Sequence, residues 1–147
     1  MPLIYFRSME HLASKSDMII LCAIDFSESS RQALRWAVAT ARQLKAHLTL
    51  LYTYRLMHSR NGEAVQLKKD MEKQAALNFA SLEKQYLAGQ GISYDFIVEV
   101  GFIADRLEDQ VRKNSVSLLV VDKNMGASKE TFDDILDNIH VPLVIVP

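Results

Sequence analysis

A polar segment follows the first apolar run of the chain and is the first place where the residue types suggest binding chemistry. The apolar run covers residues 18–24. It is followed by Asp25, Phe26 and Ser27, with Ser29 and Ser30 close behind. Serines in this position either hold an anion at the N-terminus of a following helix or cap that helix by accepting a backbone N–H. Capping is the commoner role, so we expect Ser27 to be an N-cap.

A second polar segment follows another apolar run much later in the chain. It contains Asp122, Lys123 and Asn124, with Gly126 just beyond. Lys123 carries a positive charge that would attract a phosphate, although a lone loop lysine is usually only solvated.

Residue spacings typical of catalysis or metal binding are missing from the sequence. The four histidines, His11, His47, His58 and His140, form no i,i+4 pair and no HExxH pattern. There is no Gly-x-Ser-x-Gly nucleophile elbow, and no glycine-rich dinucleotide fingerprint follows the first apolar run. We therefore expect no catalytic residue, no metal ligand and no enzymatic activity.

Composition and charge narrow the class of protein further. The chain has 147 residues, 49% of them hydrophobic and 24% charged, as expected for one globular domain. The formal charge of −1 offers no attraction for nucleic acid or an anionic membrane.

The single cysteine, Cys22, lies in an apolar run and is expected in the core. With no transmembrane or signal-like segment either, we expect a cytoplasmic protein.

The polar segments must be positioned by an alternation of strands and helices. Apolar runs predict strands at 18–25, 47–54, 92–100, 116–122 and 141–146, and helical periodicity predicts helices at 28–45, 67–86, around 103–113 and at 132–139. This order predicts an α/β domain with a five-stranded parallel sheet and helices on both faces. Continuous apolarity predicts that the most buried residues include Ile20, Leu21, Ala23, Ile24, Leu119, Val120 and Val121. The partly alternating third strand is predicted at a sheet edge with one wetter face.

Residues 1–17 fall outside this alternation. They are open to three interpretations: an extra edge strand, an arm that stabilises a dimer, or a disordered or artificial leader. Termini are ordered only when something ties them down, which favours disorder.

Four segments resemble the universal stress protein family. They comprise residues 20–30 with 33–37, the Val100-Gly101 turn with Ile103, residues 117–121 and residues 141–146. Together they extend the resemblance over 18–147. It implies a Rossmann-like fold with strand order 3-2-1-4-5, a role in the stress response, and a ligand crevice between the first and fourth strands. Asp25, Phe26 and Ser27 would border that crevice on one side, and Asp122, Lys123 and Asn124 on the other.

ATP-binding members of that family hold the phosphates in a loop that reads Gly, two residues, Gly, nine residues, then Gly with Ser or Thr. Here Gly126 is followed three positions later by Lys129, and no glycine comes after it. The resemblance therefore favours a non-catalytic regulatory or interaction module that takes no cofactor and does not bind ATP in the family's usual way.

Two other functions stay open. The chain would bind ATP or another adenine nucleotide, as a sensor or slow ATPase, if an altered loop allowed it, and an acidic residue at the position of Asp25 contacts adenosine in nucleotide-binding members. The residues involved would be Asp25, Phe26, Ser27, Asp122, Lys123 and Gly126. An unrelated small enzyme on the same fold is the third possibility, because fold does not fix function.

The last strand predicts how the chain assembles. It is apolar, ends the sheet and carries few charges, so an unpaired edge would promote aggregation. The resemblance implies a homodimer through this strand. The interface residues would be Val141, Leu143, Val144, Ile145 and Val146. Any protein partner is unidentified by the sequence.

Overall fold

A computed structural model of the chain describes residues 4–7, 18–56, 63–125 and 129–147. Within these ranges strands and helices alternate after one additional strand near the N-terminus. The elements are β1 (Ile4–Arg7), β2 (Ile19–Ala23), α1 (Glu28–Leu44), β3 (His47–Tyr54), α2 (Glu63–Leu82), a π-helical turn (Glu83–Leu87), β4 (Tyr94–Val100), α3 (Ile103–Asn114), β5 (Leu118–Asp122), α4 (Lys129–Asn138) and β6 (Leu143–Val146).

The six strands form one sheet in the order β1-β4-β3-β2-β5-β6. Strands β2 to β6 are parallel to one another, and β1 pairs antiparallel with β4. The five parallel strands thus have the predicted order 3-2-1-4-5, and the predicted α/β class is confirmed. Because parallel neighbours need crossover connections, the helices between them cover both faces of the sheet.

The position of β4 differs from the prediction. Strand β4 was expected at the sheet edge, but β1 lies outside it, with Ile4 opposite Val98 and Arg7 opposite Asp95. The predicted wetter face is also wrong, because all residues of β4 except Val100 are buried. Of the interpretations open for the N-terminal segment, residues 4–7 adopt that of an extra edge strand.

Helices pack on both faces of the sheet, so the core has two layers. Ile20 and Cys22 face the layer beneath α1 and α2, whereas Leu21 and Ala23 face the layer beneath α3 and α4. Both faces are therefore covered, which explains why the run is apolar throughout. The seven residues predicted to be most buried are all 0–2% exposed: Ile20, Leu21, Ala23, Ile24, Leu119, Val120 and Val121.

Several elements begin or end a few residues from their predicted bounds. The last strand begins at Leu143 and not at Val141, because Pro142 has no N–H to donate and joins the ladder only by accepting from the Leu119 N–H (2.9 Å). Helix α1 ends at Leu44, and Lys45 is its left-handed C-cap (φ 55°). None of the described helices has the length and apolarity needed to cross a membrane.

Candidate functional site

Strands β2 and β5 are neighbours, so their carboxyl ends meet at one edge of the sheet. Cys22 lies opposite Val120, and therefore the segments that follow these strands flank the same crevice. Asp25 and Asp122 were predicted on opposite sides of a crevice: Asp25 lies two residues after β2, and Asp122 is the last residue of β5. Gly126, the remaining predicted residue, lies outside the described residues.

Asp25 is exposed, but its carboxylate is already bonded to the loop. Its Oδ1 accepts from the backbone N–H of Ser27 (2.9 Å) and from the Ser27 hydroxyl. The backbone N–H of Asp25 donates to Oγ of Ser30 (3.0 Å). Ser27 in turn accepts from the Ser30 N–H (3.2 Å), which confirms the predicted N-cap of α1. These contacts hold the turn together and bond one oxygen of the Asp25 carboxylate within it.

Phe26 has a left-handed backbone conformation (φ 66°), which is uncommon for a residue with a large side chain. Its ring packs on Tyr52, with 4.8 Å between centroids, and on Phe96 at 6.2 Å. The side chain is thus an extension of the apolar core beneath α1 and α2. Burial, and secondarily the charge of Asp25, raise the pKa of Tyr52 beside it.

Asp122 is fully buried at the end of β5. Its Oδ1 accepts from the backbone N–H of Asn124 (2.7 Å), while Oδ2 has no hydrogen-bond partner among the described residues. The carboxylate also adds to the effect of burial in raising the pKa of the Cys22 thiol. A buried negative charge therefore lies on this side of the crevice, where it disfavours a phosphate.

Lys123 and Asn124 are exposed beside Asp122. The Lys123 backbone N–H donates to the carbonyl of Val146 (3.0 Å), which ties this turn to β6. Within the described part of the chain, the Lys123 ammonium enters no ion pair, so it is available to solvent or to an anion.

An exposed aromatic residue and an arginine farther along the same edge were missed by sequence reasoning. Phe102, 59% exposed, lies 4.8 Å from the guanidinium of Arg55, measured from the ring centroid to Cζ. The Gly101 N–H donates to the carbonyl of Tyr54 (2.9 Å) and joins the ends of β3 and β4. The available sequence signal was a cationic residue directly after β3 and an aromatic residue two positions after β4. This edge offers stacking and cationic groups for binding.

A serine, a histidine and an aspartate are hydrogen-bonded in series at the opposite edge. His47 Nδ1 is 2.8 Å from Ser93 Oγ, and His47 Nε2 is 2.9 Å from Asp95 Oδ1. The Ser93 carbonyl also accepts from the Leu48 N–H (3.0 Å), so the set joins the starts of β3 and β4. No cluster of three potential metal-ligating side chains occurs among residues 18–56, 63–125 and 129–147.

Solved structures similar to this one are universal stress proteins. UspA from Lactobacillus plantarum has a TM-score of 0.75 at 17% identity, over 88% of this chain and 97% of its own. A family protein from Burkholderia pseudomallei has a TM-score of 0.69 at 20% identity, over 88% and 95%. A third, from Archaeoglobus fulgidus in complex with dAMP, has a TM-score of 0.61 at 16% identity, over 88% and 98%. At identities of 16–20%, these similarities show a shared fold.

A search of curated protein sequences gives no significant match. The sequence model of the Universal stress protein family, in contrast, matches residues 18–147, which include all the parallel strands. The chain therefore belongs to the universal stress protein family.

Proposed function

We propose that this chain is a non-catalytic universal stress protein domain that acts in the cytoplasm as a dimeric regulatory or interaction module. The observation that carries the proposal is the short connection between β5 and α4. Strand β5 ends at Asp122 and α4 begins at Lys129, so only residues 123–128 separate them. The family's phosphate loop needs nine residues between its last two glycines, and this connection has no room for it.

The electrostatics of the crevice support the same proposal. A triphosphate is bound by several inward-pointing backbone N–H groups, each hydrogen bond contributing roughly 1.5–3 kcal/mol. Here the Asn124 N–H is already bonded to the Asp122 carboxylate, and the Ser27 N–H to that of Asp25. Two donors near the crevice are thus committed to carboxylates. Losing two such bonds weakens binding by about two to four orders of magnitude.

Titration calorimetry with Mg-ATP tests the absence of ATP binding. We expect no saturable heat from the purified full chain. Asp25→Ala and Asp25→Asn provide the comparison, because asparagine keeps the acceptor for the Ser27 N–H and removes only the charge. A dissociation constant in the low micromolar range that both variants abolish would contradict the proposal.

An adenine nucleotide with fewer phosphates is the alternative ligand. The Archaeoglobus fulgidus relative was solved in complex with dAMP. In this chain the exposed carboxylate of Asp25 and the half-buried ring of Tyr52 lie near each other, which suits contact with a nucleoside. Calorimetry with AMP and dAMP, together with native mass spectrometry of freshly purified protein, tests this alternative. A retained AMP or dAMP would favour a nucleotide sensor over the module, and retained ATP or ADP would favour a slow ATPase.

The dimer is proposed to form through β6. This strand is at the end of the sheet, and Ile145 is 46% exposed. The carbonyl of Pro142 accepts from Leu119 of β5, and that of Val146 accepts from Lys123 directly after β5. Because backbone groups alternate along a strand, the N–H of Ile145 points away from β5 and is available to a second copy. Antiparallel pairing of two β6 strands would satisfy it.

Sedimentation equilibrium at micromolar concentration tests the dimer. We expect the unmodified chain to be dimeric and Ile145→Pro to be monomeric, because proline removes the outward N–H without affecting the bonds to β5. Ile145→Thr is the matched control, since it keeps that N–H and should remain dimeric. An unmodified chain that sediments as a monomer would overturn this part of the proposal.

A further inference from the structure

A groove of about 210 Å³ runs between α1 and the segment that contains the π-helical turn. Its walls carry two arginines, two glutamines and a tyrosine: Arg35, Arg42, Gln85, Tyr86 and Gln90. The groove is far from the crevice at the sheet edge. Arg35 follows the N-cap Ser27 by eight residues, a distance of about 12 Å along the helix axis.

Arg35 is held over the ring of Tyr86. The guanidinium carbon lies 5.4 Å from the ring centroid, within the range of a cation–π contact. A guanidinium has five N–H donors around its planar edge, so contact with a ring face leaves them available. The ring positions this cation without neutralising it.

Arg42 faces the same groove two helical turns later. Its Nη1 donates to Oε1 of Gln90 (3.1 Å), a neutral partner. This single bond fixes the side chain and leaves further donors on the guanidinium. The amide nitrogen of Gln90 is an additional donor on the groove wall.

Neither arginine has an acidic partner among the described residues. Other arginines do: Arg31 pairs with Glu28, and Arg106 and Arg112 both pair with Asp109. The acidic residue of the π-helical turn, Glu83, accepts from the Tyr94 hydroxyl (2.6 Å) and forms no ion pair with Arg35 or Arg42. The groove therefore carries two positive charges that the described part of the fold leaves uncompensated.

The π-helical turn forms one wall of the groove. The Ala88 N–H donates to the Glu83 carbonyl (2.8 Å), a bond that spans five residues and not four. Single π-helical turns of this kind occur frequently at functional sites. Here the turn includes Gln85 and Tyr86, which face α1 across the groove.

We propose that this groove binds the phosphoryl group of a small anionic ligand. Guanidinium groups form paired, charge-assisted hydrogen bonds with phosphate oxygens, and both cations are positioned before the ligand arrives. The volume is below the roughly 300–1,000 Å³ of pockets that enclose drug-sized molecules, so the site suits a small phosphate compound. Inorganic phosphate and a small phosphomonoester share this chemistry.

The test is a titration of the full chain with sodium phosphate, followed by NMR at constant ionic strength. We expect saturable shifts of the amides of Gln85, Tyr86 and Gln90 and of the Nε–H groups of Arg35 and Arg42. A parallel titration with glycerol 3-phosphate distinguishes free phosphate from a phosphomonoester as the better ligand.

Two substitutions and one control make the test specific. Arg35→Gln and Arg42→Gln should each weaken phosphate binding about tenfold, as expected for a lost charge-assisted bond. Arg112→Gln, which removes an exposed guanidinium on α3, should leave the affinity unchanged. Because Arg35 and Arg42 are exposed, neither change should affect folding, which thermal unfolding checks. Unsaturable shifts spread over all basic residues, or equal loss in all three variants, would overturn the proposal.

Discussion

Nε2 of His47 lies 2.9 Å from Oδ1 of Asp95, and the same imidazole is 2.8 Å from the hydroxyl of Ser93. One ring thus joins the start of β3 to two residues of the neighbouring strand segment. Asp95 is only 6% exposed, so the loss of a partner there is costly. We expect His47→Leu to lower the free energy of unfolding by about 1–3 kcal/mol, measured by urea denaturation. His140→Leu, at an exposed histidine, should change it by less than about 0.5 kcal/mol. Equal effects of the two variants would contradict this role.

The thiol of Cys22 is predicted to be unreactive in the native protein. Cys22 is fully buried, and burial, reinforced by the charge of Asp122, raises the pKa of the thiol. Because the thiolate is the reacting form, raising the pH to about 9 should not accelerate labelling by a disulfide reagent. We expect one thiol per chain to react in urea and almost none without it, with Cys22→Ala as the background. Rapid stoichiometric labelling of the native chain would be incompatible with this burial.

Tyr54 should make stability sensitive to alkaline pH. Burial, with the Glu72 carboxylate as the next cause, raises the pKa of Tyr54 from 10.0 to about 12. The folded state therefore retains a proton that the unfolded chain loses first. This contribution to stability is present below pH 10 and is lost between pH 10 and about 12. Urea denaturation at several pH values should show a smaller alkaline loss for Tyr54→Phe than for the unmodified chain. Tyr86→Phe is the control and should follow the unmodified chain.

Gly101 has a backbone conformation that a side chain would strain. Its φ is 138°, and an added Cβ would lie 3.2 Å from Nε of Arg106. We expect Gly101→Ala to cost about 1–3 kcal/mol in urea denaturation. Gly89 also has a positive φ, 75°, but an added Cβ meets nothing within 4 Å. Gly89→Ala should therefore cost less, and a larger loss for Gly89→Ala would contradict the steric argument.

The parallel part of the fold was predictable because its signals are local. Continuous apolarity over Ile20–Ile24 and Leu119–Val121 follows from burial on both faces, and Ser27 has the residue type and position of an N-cap. The pairing of β1 was not predictable. Ile4 lies opposite Val98, more than ninety residues later, and a four-residue apolar run is equally typical of a leader. The pairing of β1 with β4 in the folded chain decides between an edge strand and a leader.

The position of the candidate site was predicted from the sequence, but the burial and the contacts of its residues were not. The order of the strands brings Asp25 and Asp122 to one edge of the sheet, and sequence reasoning found both residues. It did not predict that Asp122 would be fully buried, because an acidic residue at a strand end usually reaches solvent. Nor did it predict the Arg55–Phe102 contact, because those residues are brought together by two different strands.

The antiparallel strand β1 changes which backbone groups the sheet presents at the end opposite β6. It occupies the outer side of β4 from Asp95 to Val98, so the two edge strands of the described sheet are β1 and β6. Two copies that pair β6 with β6 use the same edge twice and close after a single addition, whereas β6 of one copy pairing with β1 of the next would leave an open edge at each end and grow into a filament. An assembly built by strand pairing therefore stops at two copies only where each β6 pairs with another β6.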